Sequence, residues 1–172
     1  MSVVATKVYN NAIVISADSI ICYGDSKRTT NFAKIVKIND IIIGSVGYTE
    51  ESSLMWHYIR THNLESAEER DVLAYIVEFA KYKNSVMGSA QIENEYLLAY
   101  KGHVFQICGL FVCEIKDYFA IGAGRDFATA ALYLGHTPYE AVEVACKLSC
   151  WVSEPIVEYR MVLEEGQWKI QN

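Results

Sequence analysis

Ser2-Val3-Val4-Ala5-Thr6-Lys7-Val8-Tyr9-Asn10-Asn11-Ala12-Ile13-Val14-Ile15-Ser16-Ala17-Asp18 is the stretch whose reading decides the fold. Two apolar runs rich in β-branched residues, 3–9 and 12–18, flank Asn10-Asn11, a pair that suits a tight turn. The pattern predicts a β-hairpin with Ser2 at the head of its first strand and Asp18 at the end of its second. Ser2 directly follows Met1, with no leader segment expected before it. Removal of Met1 would leave a hydroxyl and a free α-amine on one residue. A hydroxyl is a weak nucleophile until a base stands beside it, and an α-amine of pKa about 8 can be that base.

Outward from this hairpin, 20–23 forms a short strand before a turn at Gly24-Asp25-Ser26. Residues 34–38 and 41–46 predict a second hairpin turning at Asn39-Asp40. The period then changes. Thr49 is placed to cap a helix over about 50–62, with Leu54, Tyr58 and Ile59 facing inward. Ser66 and Glu69 have capping-box spacing ahead of a helix through Val72, Tyr75, Ile76, Phe79 and Ala80. Strands return at 95–100, 103–108, 110–114 and 118–122. A helix over about 125–134 follows, then another opened by Thr137-Pro138-Tyr139-Glu140, a Thr cap with Pro at the first helical position and Glu at the third. Pro155 is expected to end that helix before strands 156–163 and 167–170. Strands, two helices, strands, two helices, strands implies a layered α+β domain of two antiparallel sheets flanked by helix pairs, with 1–172 as one domain.

Composition narrows the partners. A net charge of −6 without a basic stripe argues against nucleic acid. Apolar runs such as Ile41-Ile42-Ile43 are too short to span a bilayer, and no secretory n- or h-region is present, so a cytoplasmic location is expected. The five cysteines, Cys22, Cys108, Cys113, Cys146 and Cys150, are odd in number and lack CxxC spacing. They are expected to be reduced, and Cys146 and Cys150, at i, i+4 on a helix, to be buried small hydrophobes rather than metal ligands. His57 and His62 are five apart, wrong for one helix face, and no metal or cofactor site is expected. Gly122-Ala123-Gly124 lacks the third glycine of a dinucleotide fingerprint. Trp56, Tyr58 and Tyr75 are expected in the core or at a subunit interface.

Ser2, Asp18 and Lys34 stand at even steps of sixteen residues, and Lys34 opens the run Lys34-Ile35-Val36-Lys37-Ile38-Asn39. Singly they read as a frayed terminus, a strand-end acid and a solvated lysine. Jointly they resemble the β-subunits of the proteasome and the HslV peptidase, N-terminal nucleophile hydrolases of the threonine-protease family, whose mature first residue is followed by Asp and Lys at these intervals. Gly44-Ser45-Val46-Gly47-Tyr48-Thr49 resembles the family's glycine turn, Gly122-Ala123-Gly124 its Gly-Ser-Gly turn, and Gly166-Gln167-Trp168-Lys169-Ile170 its closing strand.

The resemblance implies a four-layer αββα sandwich. It implies Ser2 as nucleophile, with Lys34 lowering the pKa of its neighbours and Asp18 holding Lys34. The oxyanion donor would be the N–H of Gly47, or that of Tyr48 if the register shifts by one. Ile21, Val36 and Val46 would line an apolar substrate pocket. A homo-oligomeric ring, an AAA+ ATPase unfoldase and unfolded polypeptide substrate are implied as well. The chain departs from the family at Ala123, where a Ser is usual, and in 148–153, which lacks the family's late Asp; Ser149 or Ser153 would be its partial substitute, and Glu154 is the nearest acid. With retention of Met1, these departures would fit a catalytically inactive, proteasome-like assembly protein instead. A small-molecule amidase of the same superfamily is a third reading.

Overall fold

The computed structural model describes residues 2–23, 26–29 and 32–171, with the backbone alone described at 22, 23 and 27–29. Met1, the turn residues Gly24 and Asp25, and the Cys22 side chain, all part of the sequence reading, lie outside the described residues. The first hairpin forms as expected. Strand β1 (Val3–Tyr9) pairs antiparallel with β2 (Ala12–Asp18), Val8 facing Ile13 and Tyr9 facing Ala12 across the Asn10-Asn11 turn. Strands β3 (Ile20–Tyr23) and β4 (Ser26–Thr29) make a separate two-stranded ribbon. Ser26 therefore opens a strand rather than completing a turn. The polar text of β4, Ser26-Lys27-Arg28-Thr29, has no apolar alternation to announce it.

Strands β5 (Ile35–Ile38) and β6 (Ile41–Val46) form the second hairpin, and Asn39 takes φ 53° in its turn. Helices α1 (Thr49–Thr61) and α2 (Glu69–Met87) follow, then β7 (Glu95–Tyr100), β8 (His103–Cys108), β9 (Phe111–Glu114) and β10 (Tyr118–Gly122). Helices α3 (Arg125–Tyr133) and α4 (Pro138–Leu148) precede the closing β11 (Ile156–Glu164) and β12 (Gln167–Gln171).

One antiparallel sheet has the order β10-β1-β2-β11-β12 and the other β5-β6-β7-β8-β9. Each sheet is covered on both faces, which is why central strands such as β6 are buried throughout instead of alternating. In β1, Val4 joins Ile15, Ile42 and Leu97 between the sheets, while Val3 and Ala5 face α3 and α4. Ala128, Ala131, Ala141 and Ala145 line that helix layer, and such small side chains let helices sit close to the sheet. On the other side Tyr58, Ile59, Ile76 and Phe79 pack on the second sheet, and Trp56 and Tyr75 join them as core residues. The result is an αββα sandwich of two five-stranded sheets.

Helix ends depart from the sequence reading. Thr49 lies inside α1, whose N-cap is Tyr48, and no cap side chain bonds the helix. The capping box at Ser66 and Glu69 does not form, because α2 begins at Glu69 itself. The Ser66 hydroxyl turns to Asp71, and the Glu69 carboxylate accepts the Glu114 N–H of β9 at 2.8 Å. The capping box at Thr137 and Glu140 is present. Helix α4 ends at Leu148, well before Pro155, where Ser149 turns extended and its Oγ accepts the Trp151 N–H. Leu110 falls in the turn before β9. Two cysteines also differ from expectation: Cys146 is only partly buried, and Cys150 is exposed because it lies past the end of α4, while Cys108, at the end of β8, is exposed and Cys113 partly buried.

Candidate active site

Ser2 enters the fold through β1, a strand with neighbours on both sides, so the residue is anchored rather than frayed and only 6% exposed. The peptide group joining Ser2 to Val3 has both polar atoms engaged. The Ser2 carbonyl accepts the Gly124 N–H at 3.2 Å, and the Val3 N–H donates to Asp18 Oδ1 at 2.8 Å. Gly122, at φ 94°, makes this seat possible. A Cβ there would lie 2.3 Å from the Ser2 carbonyl oxygen and 3.0 Å from Val46 Cγ1, so a side chain would displace the Ser2 backbone. The same contacts put the end of β6, hence the approach to Gly47, against Ser2.

Asp18 is 1% exposed at the end of β2, and its Oδ2 meets Lys34 Nζ at 2.7 Å. Lys34 is placed by the strand hairpin, since its carbonyl accepts the Ser45 N–H at 2.9 Å. The Ser19 N–H donates to the Ser153 carbonyl at 3.5 Å, which brings the Ser153 backbone beside the Asp18 carboxylate. Burial pushes the Asp18 pKa above its ordinary value, and the Lys34 ammonium and the backbones of Val3 and Ser153 only partly offset it. From sequence, Ser149 or Ser153 is a stand-in for the late Asp, with no sign that Ser153 lies beside Asp18 through its backbone. The early end of α4 is what lets the chain swing toward Asp18.

Gly47 sits exposed at φ 130°, immediately after Val46. Its N–H finds no acceptor among the described residues, so it is an open donor at the rim of the site. The Tyr48 N–H is already taken by Asn94 Oδ1 at 2.6 Å, which leaves Gly47 as the better-placed of the two donors considered from sequence. Ile21 is half-buried on β3. Val46 belongs to the cluster between the sheets, whereas Val36 packs beneath α1 and α2, so these two leave the second sheet by opposite faces. Ala123 is exposed in the turn that holds Ser2.

No family model matches the sequence, and no curated protein matches it. Solved structures do match over nearly the whole chain. BPH of Thiobacillus denitrificans superposes with a TM-score of 0.84 at 15% identity, covering 95% of this chain and 99% of that one. The same protein in complex with epoxomicin gives 0.83 at 16%, covering 94% and 99%. Eukaryotic HslV from Trypanosoma brucei gives 0.72 at 19%, covering 93% and 99%. The chain has the HslV fold. The HslV-type sandwich agrees with the four layers built up above, and within it the Ser2, Asp18 and Lys34 elements converge on one end of the inter-sheet core. The chemistry available there is a hydroxyl on a pinned backbone, a buried lysine–aspartate pair and an open backbone donor.

Proposed function

We propose that the chain is the peptidase subunit of a self-compartmentalised, ring-shaped protease, with Ser2 as nucleophile after removal of Met1. The observation that carries this reading is the continuous connection from Lys34 through Asp18 to the Val3 N–H, one peptide from the Ser2 side chain. In the proposed reaction the Ser2 Oγ attacks a peptide carbonyl carbon, and its proton passes to the Ser2 α-amine. The Lys34 ammonium keeps that amine unprotonated by charge proximity, and Asp18 holds Lys34 in place. The oxyanion is met by the Gly47 N–H. The C–N bond then breaks, the amine proton goes to the departing amine, and water hydrolyses the remaining ester to regenerate Ser2.

An apolar pocket beside Ser2 is proposed at Ile21 and Val46; Val36 faces the α1–α2 layer on the other side of the second sheet and is set aside from it. A homo-oligomeric ring, an AAA+ ATPase unfoldase that feeds it unfolded polypeptide, and a cytoplasmic location complete the reading. No helix among the described residues is long and apolar enough to cross a membrane.

The test combines intact mass, a fluorogenic peptide assay and epoxomicin labelling on wild type and Ser2→Ala. Loss of Met1, peptide turnover and a covalent adduct on the wild type alone are expected. Retained Met1 together with no adduct would overturn the peptidase. Native mass spectrometry tests the ring, and a monomer at micromolar concentration counts against it. One second reading has observations in its favour. Ala123, and the lack of any carboxylate in 148–153, suit a subunit that assembles without cutting.

A further inference from the structure

We infer that Asn94 is a positioning residue that holds the Gly47–Tyr48 turn so that the Gly47 N–H points at the reacting carbonyl oxygen. This inference rests on the peptidase reading of the same site. The β6–β7 register pairs Val46 with Glu95, which brings Asn94 opposite Gly47 just before β7 begins. Asn94 is 1% exposed, and its side chain holds Tyr48 from both sides. Oδ1 accepts the Tyr48 N–H at 2.6 Å, and Nδ2 donates to the Tyr48 carbonyl at 2.8 Å. Nδ2 also reaches Ser52 Oγ at 3.0 Å and Ser45 Oγ at 3.2 Å, and those two hydroxyls lie 2.7 Å apart. Asn94 thus fixes the two peptides that flank Tyr48, and the Val46–Glu95 pairing holds the strand end before Gly47, so the turn that carries the Gly47 N–H is confined on both sides. Gly47 is itself pressed on Asn94, since a Cβ there would lie 2.1 Å from Oδ1 and 3.2 Å from Asn94 Cα.

Asn94 is held in turn from below. Glu51, in the first turn of α1, accepts the backbone N–H of Asn94 at 3.0 Å and that of Glu93 at 3.1 Å. The Tyr96 hydroxyl donates to Glu51 at 2.9 Å, and Lys83 of α2 pairs with it at 2.7 Å. Glu51, Lys83 and Tyr96 are all buried to within 1%. A satisfied polar network under an exposed turn is rigid on one face and open on the other. Donors fixed before the reaction need no reorganisation as charge develops, and that is the requirement for stabilising an oxyanion.

The test uses the full-length protein, a fluorogenic peptide and amide hydrogen exchange on wild type, Asn94→Ala and Asn94→Asp. Small misplacements of a catalytic donor cost on the order of 10²-fold in rate. Asn94→Ala is therefore expected to lower kcat by roughly tenfold to a hundredfold with KM nearly unchanged, and to speed exchange at the Tyr48 amide. Asn94→Asp, which keeps an acceptor for that amide, is expected to fall between them. If Asn94→Ala fails to fold, the Asp variant and the Tyr48 amide of the wild type carry the test, slow exchange supporting the clamp and fast exchange overturning it. Wild-type kcat in a folded Asn94→Ala protein overturns the inference while leaving the peptidase reading intact. A wild type that neither cuts peptide nor takes up epoxomicin overturns both.

Discussion

Asp18 and Lys34 form a 2.7 Å ion pair in which both side chains are almost completely withdrawn from water. Two charges sixteen residues apart meet because one ends β2, in the first sheet, and the other immediately precedes β5, in the second. The pair therefore joins the two sheets at the end where Ser2 enters. Buried pairs are costly to form and more costly to break, since removing one partner strands the other without solvent.

Lys34→Ala is accordingly expected to destabilise the protein by about 3–5 kcal/mol and to abolish any peptide hydrolysis. Lys34→Met together with Asp18→Asn, which removes both charges, should recover much of the stability and none of the activity. Urea denaturation and peptide turnover on the three proteins separate the two effects. Equal stability of Lys34→Ala and wild type would mean that the pair contributes nothing to the fold.

Gly122→Ala is expected to damage the site more than the fold. The new Cβ would fall 2.3 Å from the Ser2 carbonyl oxygen, at a backbone φ of 94° that alanine rarely adopts. The strain should cost on the order of 1–3 kcal/mol. Displacing Ser2 by even about 1 Å should lower kcat roughly a hundredfold. Thermal unfolding and epoxomicin labelling rates check the two figures independently.

These residues show which layers of the structure a sequence can display. The hairpins at Asn10-Asn11 and Asn39-Asp40 are local, and apolar runs with turn residues between them announce them. Ser2, Asp18 and Lys34 became visible through the family resemblance that their joint spacing carries; Asp18 ends β2, and Ser2 and Lys34 each stand one residue before a strand. Asn94 gave no such signal. It caps α1 from 46 residues away, by packing rather than by pattern, and Thr49 looked like the cap because the local rule sees only neighbours. Glu51 and Lys83 likewise carry no local signal, since a buried pair contributed by two helices leaves no periodic mark. Ser153 reads from sequence as a side-chain stand-in for the late Asp, whereas it meets the site through its backbone, which no side-chain pattern displays.

Thr137→Ala provides the contrast of a purely structural change. Thr137 accepts the Glu140 N–H at 3.3 Å and donates its own N–H to the Glu140 carboxylate at 2.8 Å, closing the box that starts α4. Its loss should lower stability by about 0.5–2 kcal/mol. Peptide turnover of the folded protein should stay at the wild-type level, because α4 lies on the outer face of the first sheet. A large fall in kcat would show that the helix layer is coupled to Ser2.

Glu51 and Asp18 should pull the pH dependence of stability in opposite directions. Burial works against the Glu51 carboxylate, but Lys83, the backbone N–H groups of Glu93 and Asn94 and the Tyr96 hydroxyl outweigh it, so its pKa lies below the ordinary 4.5. The unfolded chain then binds the proton more readily. The stabilising contribution is complete above about pH 4.5 and is lost as pH falls through the lower, folded-state value. For Asp18, burial dominates and the folded-state pKa lies above the ordinary 3.8. Its contribution is most favourable below that value and declines as pH rises through the folded-state one. Denaturation midpoints measured from pH 3 to pH 7 on wild type, Glu51→Gln and Asp18→Asn resolve the two. Glu51→Gln should flatten the loss of stability on the acid side, and Asp18→Asn should remove a decline on the rising side. An acid limb unchanged in Glu51→Gln would mean that the Lys83 network does not hold this carboxylate ionised.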